Sequence, residues 1–229
     1  MMQSSQSTTI CSILLALGFF LNSAYGVNRN GREFIGYRVV YDREAEYINS
    51  HLKPYRDPRL DDDEVTQIGQ GFDLVNKPEG FQTEPSEEYF QWFCVVEADS
   101  AKLKAASKVW IPEHTYDDDG RERKLWFQSD ETLLNYVKTK VEENPENAIR
   151  FSYMQYHPEE FQMVLPTSMV NNDELNLWAY CYKRKEDLQN YWRETIKWQR
   201  WNIAGDPKPR KSLYHQVTGW FGSSSGGRS

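Results

Sequence analysis

The run from Tyr89 to Glu97, YFQWFCVVE, constrains the fold of this chain most strongly. Aromatic and β-branched residues favour strands, and this run is too continuously apolar for a strand with one face in water. We therefore predict a strand in the middle of a sheet. Similar patterns predict further strands near residues 33–41, 67–74, 108–112, 148–156, 161–165 and 175–182.

Helical patterns lie between these strands. Polar capping residues precede apolar stripes at helical spacing, and they predict helices over about 43–50, 100–107 and 129–143. A fourth helix, over about 185–201, places several aromatic residues on one face. About seven strands with three or four helices indicate an α+β fold with a mixed or antiparallel sheet.

The amino-terminal segment predicts the destination of the chain. Residues 1–26 carry no charged side chain, and their apolar run from Ile10 to Leu21 is too short to span a bilayer. Small residues follow, so we predict a secretory signal peptide over 1–26, with a membrane anchor as the alternative. The secreted product would then comprise one domain over 27–204 and a basic, Ser/Gly-rich flexible tail over 205–229.

Two cysteines, Cys94 and Cys181, remain once the predicted signal peptide is removed. Export to an oxidising compartment favours a disulfide between them. Both also lie in apolar, strand-like runs, where a buried free cysteine is an ordinary packing residue. The sequence leaves both interpretations open.

Charge divides the chain into two parts. The net charge is −7, yet residues 183–229 contain 10 Lys and Arg against 4 Asp and Glu. A basic, tryptophan-rich segment can bind nucleic acid or a membrane surface. Aromatic residues at helical spacing more often form a packing face, so we expect this segment to dock on its own acidic domain, and we expect no nucleic-acid partner.

Several common functional motifs are absent from the sequence. The four histidines share no metal-ligand spacing with each other or with the cysteines, so we expect no zinc site. The acidic runs 61–64 and 117–119 do not follow the calcium-loop pattern and predict solvated turns. The chain also lacks the serine-hydrolase elbow, the P-loop and the dinucleotide-binding glycine motif.

Three features remain as candidates for function. Arg38 lies within an apolar strand, where a charge needs a carboxylate or phosphate partner; Glu97 or another strand acid would be a structural one. The glycines of the Gly69-Gln70-Gly71 segment allow close approach to the backbone. Glu159 and Glu160 stand at the start of a strand, either as functional acids or as residues that simply face water.

The order of these features resembles the ADP-ribosyltransferase domain of the cholera toxin and heat-labile enterotoxin family. The resemblance rests on Tyr37-Arg38 before the helix with EAEYIN, on QIGQGFDL before the central strand, and on HPEEFQMVLP followed by LNLWAY. It covers roughly residues 34–182. Blocks of the YRVV, GxGF and QMVLPT type also resemble a broad group of secreted fungal proteins.

This resemblance implies a split sheet and a set of site residues. Arg38 would hold the pyrophosphate of NAD, while Gly69, Gly71 and Phe72 would line the nicotinamide side. Glu160 would match the first glutamate of the catalytic pair of that family. Gln162 falls on the second, which in the family opposes the positive charge that grows as nicotinamide leaves.

Gln162 carries no negative charge, and loss of one such electrostatic group lowers a rate by about 10²–10³. The sequence therefore leaves two functions open. One is a secreted, monomeric toxin-like enzyme that transfers ADP-ribose from NAD to a host protein. The other is a secreted effector with the same scaffold that binds a host protein without catalysis.

Overall fold

The structure is a computed structural model, and it describes residues 31–61, 66–78, 80 and 91–208. The predicted signal peptide, residues 62–65 with most of the first acidic run, and the last part of the basic tail lie outside the described residues. So do the first two residues of the predicted central strand, Tyr89 and Phe90.

A seven-stranded mixed sheet forms the body of the protein, in the order β4-β7-β8-β2-β1-β3-β9. The β4–β7 pair is parallel and the other five pairs are antiparallel. A small hairpin, β5–β6, stands apart from this sheet. The strands are β1 (Arg32–Tyr41), β2 (Phe72–Val75), β3 (Gln91–Asp99), β4 (Lys108–Trp110), β5 (His114–Tyr116), β6 (Glu122–Lys124), β7 (Ile149–Met154), β8 (His157–Leu165) and β9 (Trp178–Tyr182).

Within the described ranges, the α-helices that pack around this sheet are α1 (Asp42–His51), α2 (Ser100–Ala105), α3 (Asp130–Lys138), α4 (Thr167–Asn171) and α5 (Lys185–Tyr191). Side chains predicted as caps begin two of them. Asp99 accepts hydrogen bonds from the first turn of α2, and Ser129 accepts one from Thr132 in α3. Short 3-10 turns lie at Pro58–Asp61, Pro145–Asn147 and Trp198–Arg200.

The predicted α+β fold with a mixed sheet of about seven strands is confirmed. The sheet is continuous rather than split, although the join between β1 and β2 is short and places Tyr37 opposite Val75. Strand β3 is paired on both sides, and its neighbouring residues Val95 and Val96 are both fully buried on opposite faces. This accounts for the unbroken apolar pattern of the strand.

Both edges of the sheet are covered by other parts of the chain. On β9, Ala179 donates its N–H to the Leu52 carbonyl, and Asn49 of α1 exchanges two hydrogen bonds with the backbone of Cys181. On β4, the segment around Ala204 pairs alongside Val109. The exposed backbone groups that make sheet edges prone to aggregation are thereby satisfied.

A disulfide between Cys94 and Cys181 ties β3 to β9. The two residues lie directly opposite each other in the strand register, and both are buried. They are 87 residues apart in sequence, so the bond closes a long loop.

The predicted helix over 185–201 is shorter in the structure, because α5 ends at Tyr191. Trp192 is extended and stacks on Phe34 at 4.1 Å between ring centroids. Farther on, the fully buried Trp198 donates its indole N–H to the Ile35 carbonyl. A continued helix could not make both contacts, so tertiary packing overrides the helical periodicity. These tryptophans pack against the domain.

Two other predicted segments also differ from the structure. The strand predicted over 67–74 begins only at Phe72, because Gly69 and Gly71 adopt positive φ angles in a turn. The acidic run 117–119 forms a turn, as the sequence predicts, but it is flanked by the strands of the β5–β6 hairpin, which the sequence does not predict. Asp117 accepts hydrogen bonds there from the Arg121 backbone and the Arg123 side chain.

Candidate functional site

Arg38 is held in a cluster built from three successive elements of the fold. Its Nε donates to Glu44 of α1 at 2.9 Å, and its Nη1 donates to the carbonyl and the carboxylate of Asp73 in β2. The guanidinium also lies 4.5 Å from the centroid of the Phe72 ring. The arginine is buried, and two of its three nitrogens, Nε and Nη1, have acceptors within the chain.

The two carboxylates of this cluster stabilise the charged form of Arg38. Burial alone lowers the pKa of Arg38, but the carboxylates of Asp73 and Glu44 outweigh burial and raise that pKa above its ordinary value. The guanidinium is therefore permanently charged and faces two carboxylates. A phosphate group would have to displace one of them to reach it.

The structural partners of Arg38 differ in part from those considered from the sequence. Asp73 is a strand acid, as the structural interpretation of Arg38 required, but Glu97 does not contribute. Glu97 lies opposite Phe34, on the face of β1 away from Arg38, within reach of the Tyr191 hydroxyl at 3.5 Å. Glu44 was missed, although its place one helical turn into α1 brings it beside the strand that precedes the helix.

The space beside the residues predicted to line a nicotinamide is occupied by other parts of the chain. Phe72 is fully buried, and the Arg38 guanidinium covers its ring. A Cβ on Gly69 would lie 2.1 Å from Nη1 of Arg150, and one on Gly71 would lie 2.3 Å from the Leu165 carbonyl oxygen. The two glycines thus permit close packing of protein against protein.

Glu160 lies in a different environment from Arg38. It is buried at the start of β8, and one carboxylate oxygen accepts from the Lys77 ammonium at 2.7 Å. Gln162, two residues along the strand, is half-buried opposite Val75 and Ser152. Its side-chain amide makes only a long hydrogen bond, 3.5 Å, to the Tyr153 carbonyl.

The structure does not bring Arg38 and Glu160 into one cleft. The arginine head lies over Phe72, which pairs with Leu165, five residues beyond Glu160 in the same strand. At about 3.3 Å per residue, the backbone level of Phe72 lies about 16 Å along β8 from that of Glu160. Phe161 and Met163 share the core cluster of Phe72, so Gln162 points to the opposite face of the sheet.

The described part of the surface contains cavities beside its helices and beside its hairpin. One, of about 250 Å³, lies between α3 and α4 and is lined in part by Gln70, Asp130 and Arg150. The other, of about 390 Å³, lies beside the β5–β6 hairpin. Arg38, Glu160 and Gln162 line neither of them.

Residues 66–206, more than half of the chain, match DUF5910, a family of unknown function. The chain belongs to this family. The DUF5910 segment contains Asp73, both bridged cysteines and the whole of β8, and it begins after Arg38 and Glu44. A search of curated proteins finds no match to the chain. No helix within the described ranges is long and apolar enough to cross a membrane.

Proposed function

We propose that this DUF5910 protein is a secreted effector that binds a host protein and does not transfer ADP-ribose. The observation that carries the proposal is the state of Arg38, whose Nε and Nη1 are engaged by Glu44 and Asp73 while Phe72 covers its face. An arginine that grips the pyrophosphate of NAD has to present its donors to solvent.

The second support for the proposal is the separation of the expected catalytic groups. Glu160 is paired with Lys77, and its backbone lies about 16 Å along β8 from the level of Phe72, whose ring contacts the arginine head. Transfer of ADP-ribose requires one cleft that holds the pyrophosphate, the ribose and the leaving nicotinamide of the same NAD molecule. Gln162 adds no negative charge there.

The disulfide supports the extracellular part of the proposal. A buried bond between Cys94 and Cys181 persists in oxidising compartments, where thiols are not kept reduced. It agrees with the signal peptide predicted over residues 1–26.

An exposed aromatic cluster on α1 and the segment after it provides a contact surface for a partner. Tyr47 stacks on His51 at 4.1 Å and lies 5.7 Å from Tyr55, while Leu52 stands exposed between them in sequence. Tyrosine side chains supply large, amphipathic contact areas and are enriched at protein interfaces. We place the host-protein contact at this cluster.

Transferase activity is tested with labelled NAD, host extract and the purified chain. We expect no labelled protein with the natural chain, with Arg38→Ala or with Gln162→Glu. An active transferase in a parallel reaction is the positive control. Label that appears with the natural chain and disappears with Arg38→Ala would contradict the proposal. Label that appears only with Gln162→Glu would show that the natural chain has an NAD site lacking one charge. It would also contradict the claim that Arg38 is occupied by partners within the fold.

Binding is tested separately with the partner captured from host extract by crosslinking. Replacement of Tyr47 and Tyr55 by alanine should abolish capture of the specific band, since it removes two adjacent aromatic anchors. Tyr156→Ala is the matched control, because Tyr156 is 82% exposed and lies elsewhere, in the turn before β8. Equal capture by the double variant and by Tyr156→Ala would contradict the placement of the host-protein contact at the aromatic cluster.

A further inference from the structure

A break in strand register gathers three potential metal ligands at the start of β8. Tyr153 of β7 pairs with Phe161, but the next residue of β7, Met154, pairs with His157. One step on β7 therefore corresponds to four on β8, so three residues of β8 bulge out of the ladder. Such a bulge breaks the alternation of side chains between the two faces and re-aims them.

The bulge brings together the side chains of His157, Glu159 and Glu160. One potential ligand atom from each lies within 4.8 Å of those of the other two. A regular strand would send Glu159 and Glu160 to opposite faces. The cluster thus depends on the local irregularity of β8.

A second observation points to a missing partner at this cluster. Glu160 is 5% exposed, and its oxygen Oε2 is buried without a hydrogen-bond partner among the described residues. The other oxygen is occupied by Lys77. A buried polar atom without a partner is costly, and an ion bound at that atom is one of the few ways to satisfy it.

We propose that His157, Glu159 and Glu160 bind a divalent transition-metal ion of the Zn²⁺ type. One imidazole and two carboxylates are donors that Zn²⁺ accepts, and three protein ligands leave one position for water or a further ligand. The imidazole disfavours Ca²⁺ and Mg²⁺, which take oxygen ligands. This site does not depend on the proposed function.

The geometry requires a modest closure of the cluster. Ligand bonds of about 2.0–2.2 Å in a tetrahedral site separate the ligand atoms by about 3.4 Å. The atoms of the cluster lie within 4.8 Å of one another, so no pair has to approach by more than about 1.4 Å. Glu159 is exposed and His157 half-buried, so both can supply this movement by side-chain rotation.

Lys77 acts on the site through charge. Its ammonium neutralises Glu160 when no ion is bound, and it opposes a second positive charge at the same carboxylate. Removing this ammonium should therefore tighten metal binding. A lysine with a purely structural role would give no such effect.

Calorimetric titration of the purified full-length chain with ZnCl₂ tests the proposal, with a thermal melt as the second readout. We expect one Zn²⁺ per chain and a rise in the melting temperature. Changes to groups that only support a metal ligand weaken binding about 10–100-fold, so loss of a ligand should weaken it at least about 100-fold. We expect this of His157→Ala, Glu159→Gln and Glu160→Gln.

Matched variants separate this site from others. His114→Ala and Glu146→Gln, which lie outside the cluster, should bind Zn²⁺ as the natural chain does, and Lys77→Met should bind it more tightly. Glu159 is exposed, so Glu159→Gln retains the fold even where Glu160→Gln does not. No binding by the natural chain, unchanged binding by Glu159→Gln, or loss of binding in His114→Ala would each overturn the proposal.

Discussion

Replacing Arg38 by alanine removes the one positive charge that Glu44 and Asp73 share. Removal of one partner from a buried ion pair costs about 3–5 kcal/mol when the remaining charge stays buried. Here the carboxylate side chains are 33% and 40% exposed, so water relieves part of that cost. Loss of the contact with the Phe72 ring adds about 1 kcal/mol. We expect Arg38→Ala to lower the free energy of unfolding by about 3 kcal/mol.

Equilibrium unfolding in urea measures this change in the free energy. Arg59→Ala is the matched control, because Arg59 also pairs with an aspartate but its side chain is 89% exposed, so its loss should leave the midpoint of unfolding unchanged. A double-mutant cycle with Arg38→Met and Glu44→Gln should give a coupling of about 1 kcal/mol. A cost below about 1 kcal/mol for Arg38→Ala would refute the structural role of this arginine.

Three further predictions concern the disulfide, a buried tyrosine and a glycine. Replacing Cys94 and Cys181 by alanine opens a loop of 87 residues and should lower the free energy of unfolding by about 4–5 kcal/mol in urea. Burial, with a smaller effect from nearby Asp206, raises the pKa of Tyr136 to about 12, so the unfolded chain loses this proton first and stability falls as pH rises from 10 towards 12. Tyr136→Phe should therefore lose about 1.4 kcal/mol less between pH 7 and pH 11 than the natural chain. Gly71→Ala should cost at least about 2 kcal/mol in the same assay, since its Cβ meets a backbone carbonyl of β8 at 2.3 Å.

Each of these three predictions has a control in the same chain. For the disulfide, the natural chain unfolded under reducing conditions should match the double variant. The natural chain, unfolded beside Tyr136→Phe at pH 7 and pH 11, is the control for the tyrosine, and an equal loss in both chains would contradict the assignment to Tyr136. Gly31 also has a positive φ, but nothing lies within 4 Å of its added Cβ, so Gly31→Ala should cost about 1–2 kcal/mol. An equal cost at both glycines would show that only backbone strain matters.

The sheet could be predicted because its signals are local. The apolar run of β3 and the alternating apolar and polar residues of β7 are long enough to identify strands, and the side chains of Asp99 and Ser129 mark the starts of two helices. The ends of elements were predicted less well. The helix of the carboxy-terminal segment stops at Tyr191 because Trp192 and Trp198 find partners in β1, and no local pattern encodes that contact.

The candidate site shows the same division. A buried, paired Arg38 follows from its place in an apolar strand, whereas the identity of its partners depends on how α1 and β2 pack around it. The spacing of histidines and cysteines in the sequence does not reveal the cluster of His157, Glu159 and Glu160. Two of its three side chains are carboxylates, and they converge only because β8 bulges against β7.

The state of the Arg38 guanidinium is measured most directly by ¹⁵N NMR of its Nε–H, assigned by its disappearance in Arg38→Lys. We expect a signal protected from exchange with water, because the Nε–H is buried against Glu44. We also expect millimolar NAD to leave this signal unchanged. A rapidly exchanging Nε–H that shifts on addition of NAD would contradict the claim that the arginine is sealed within the fold.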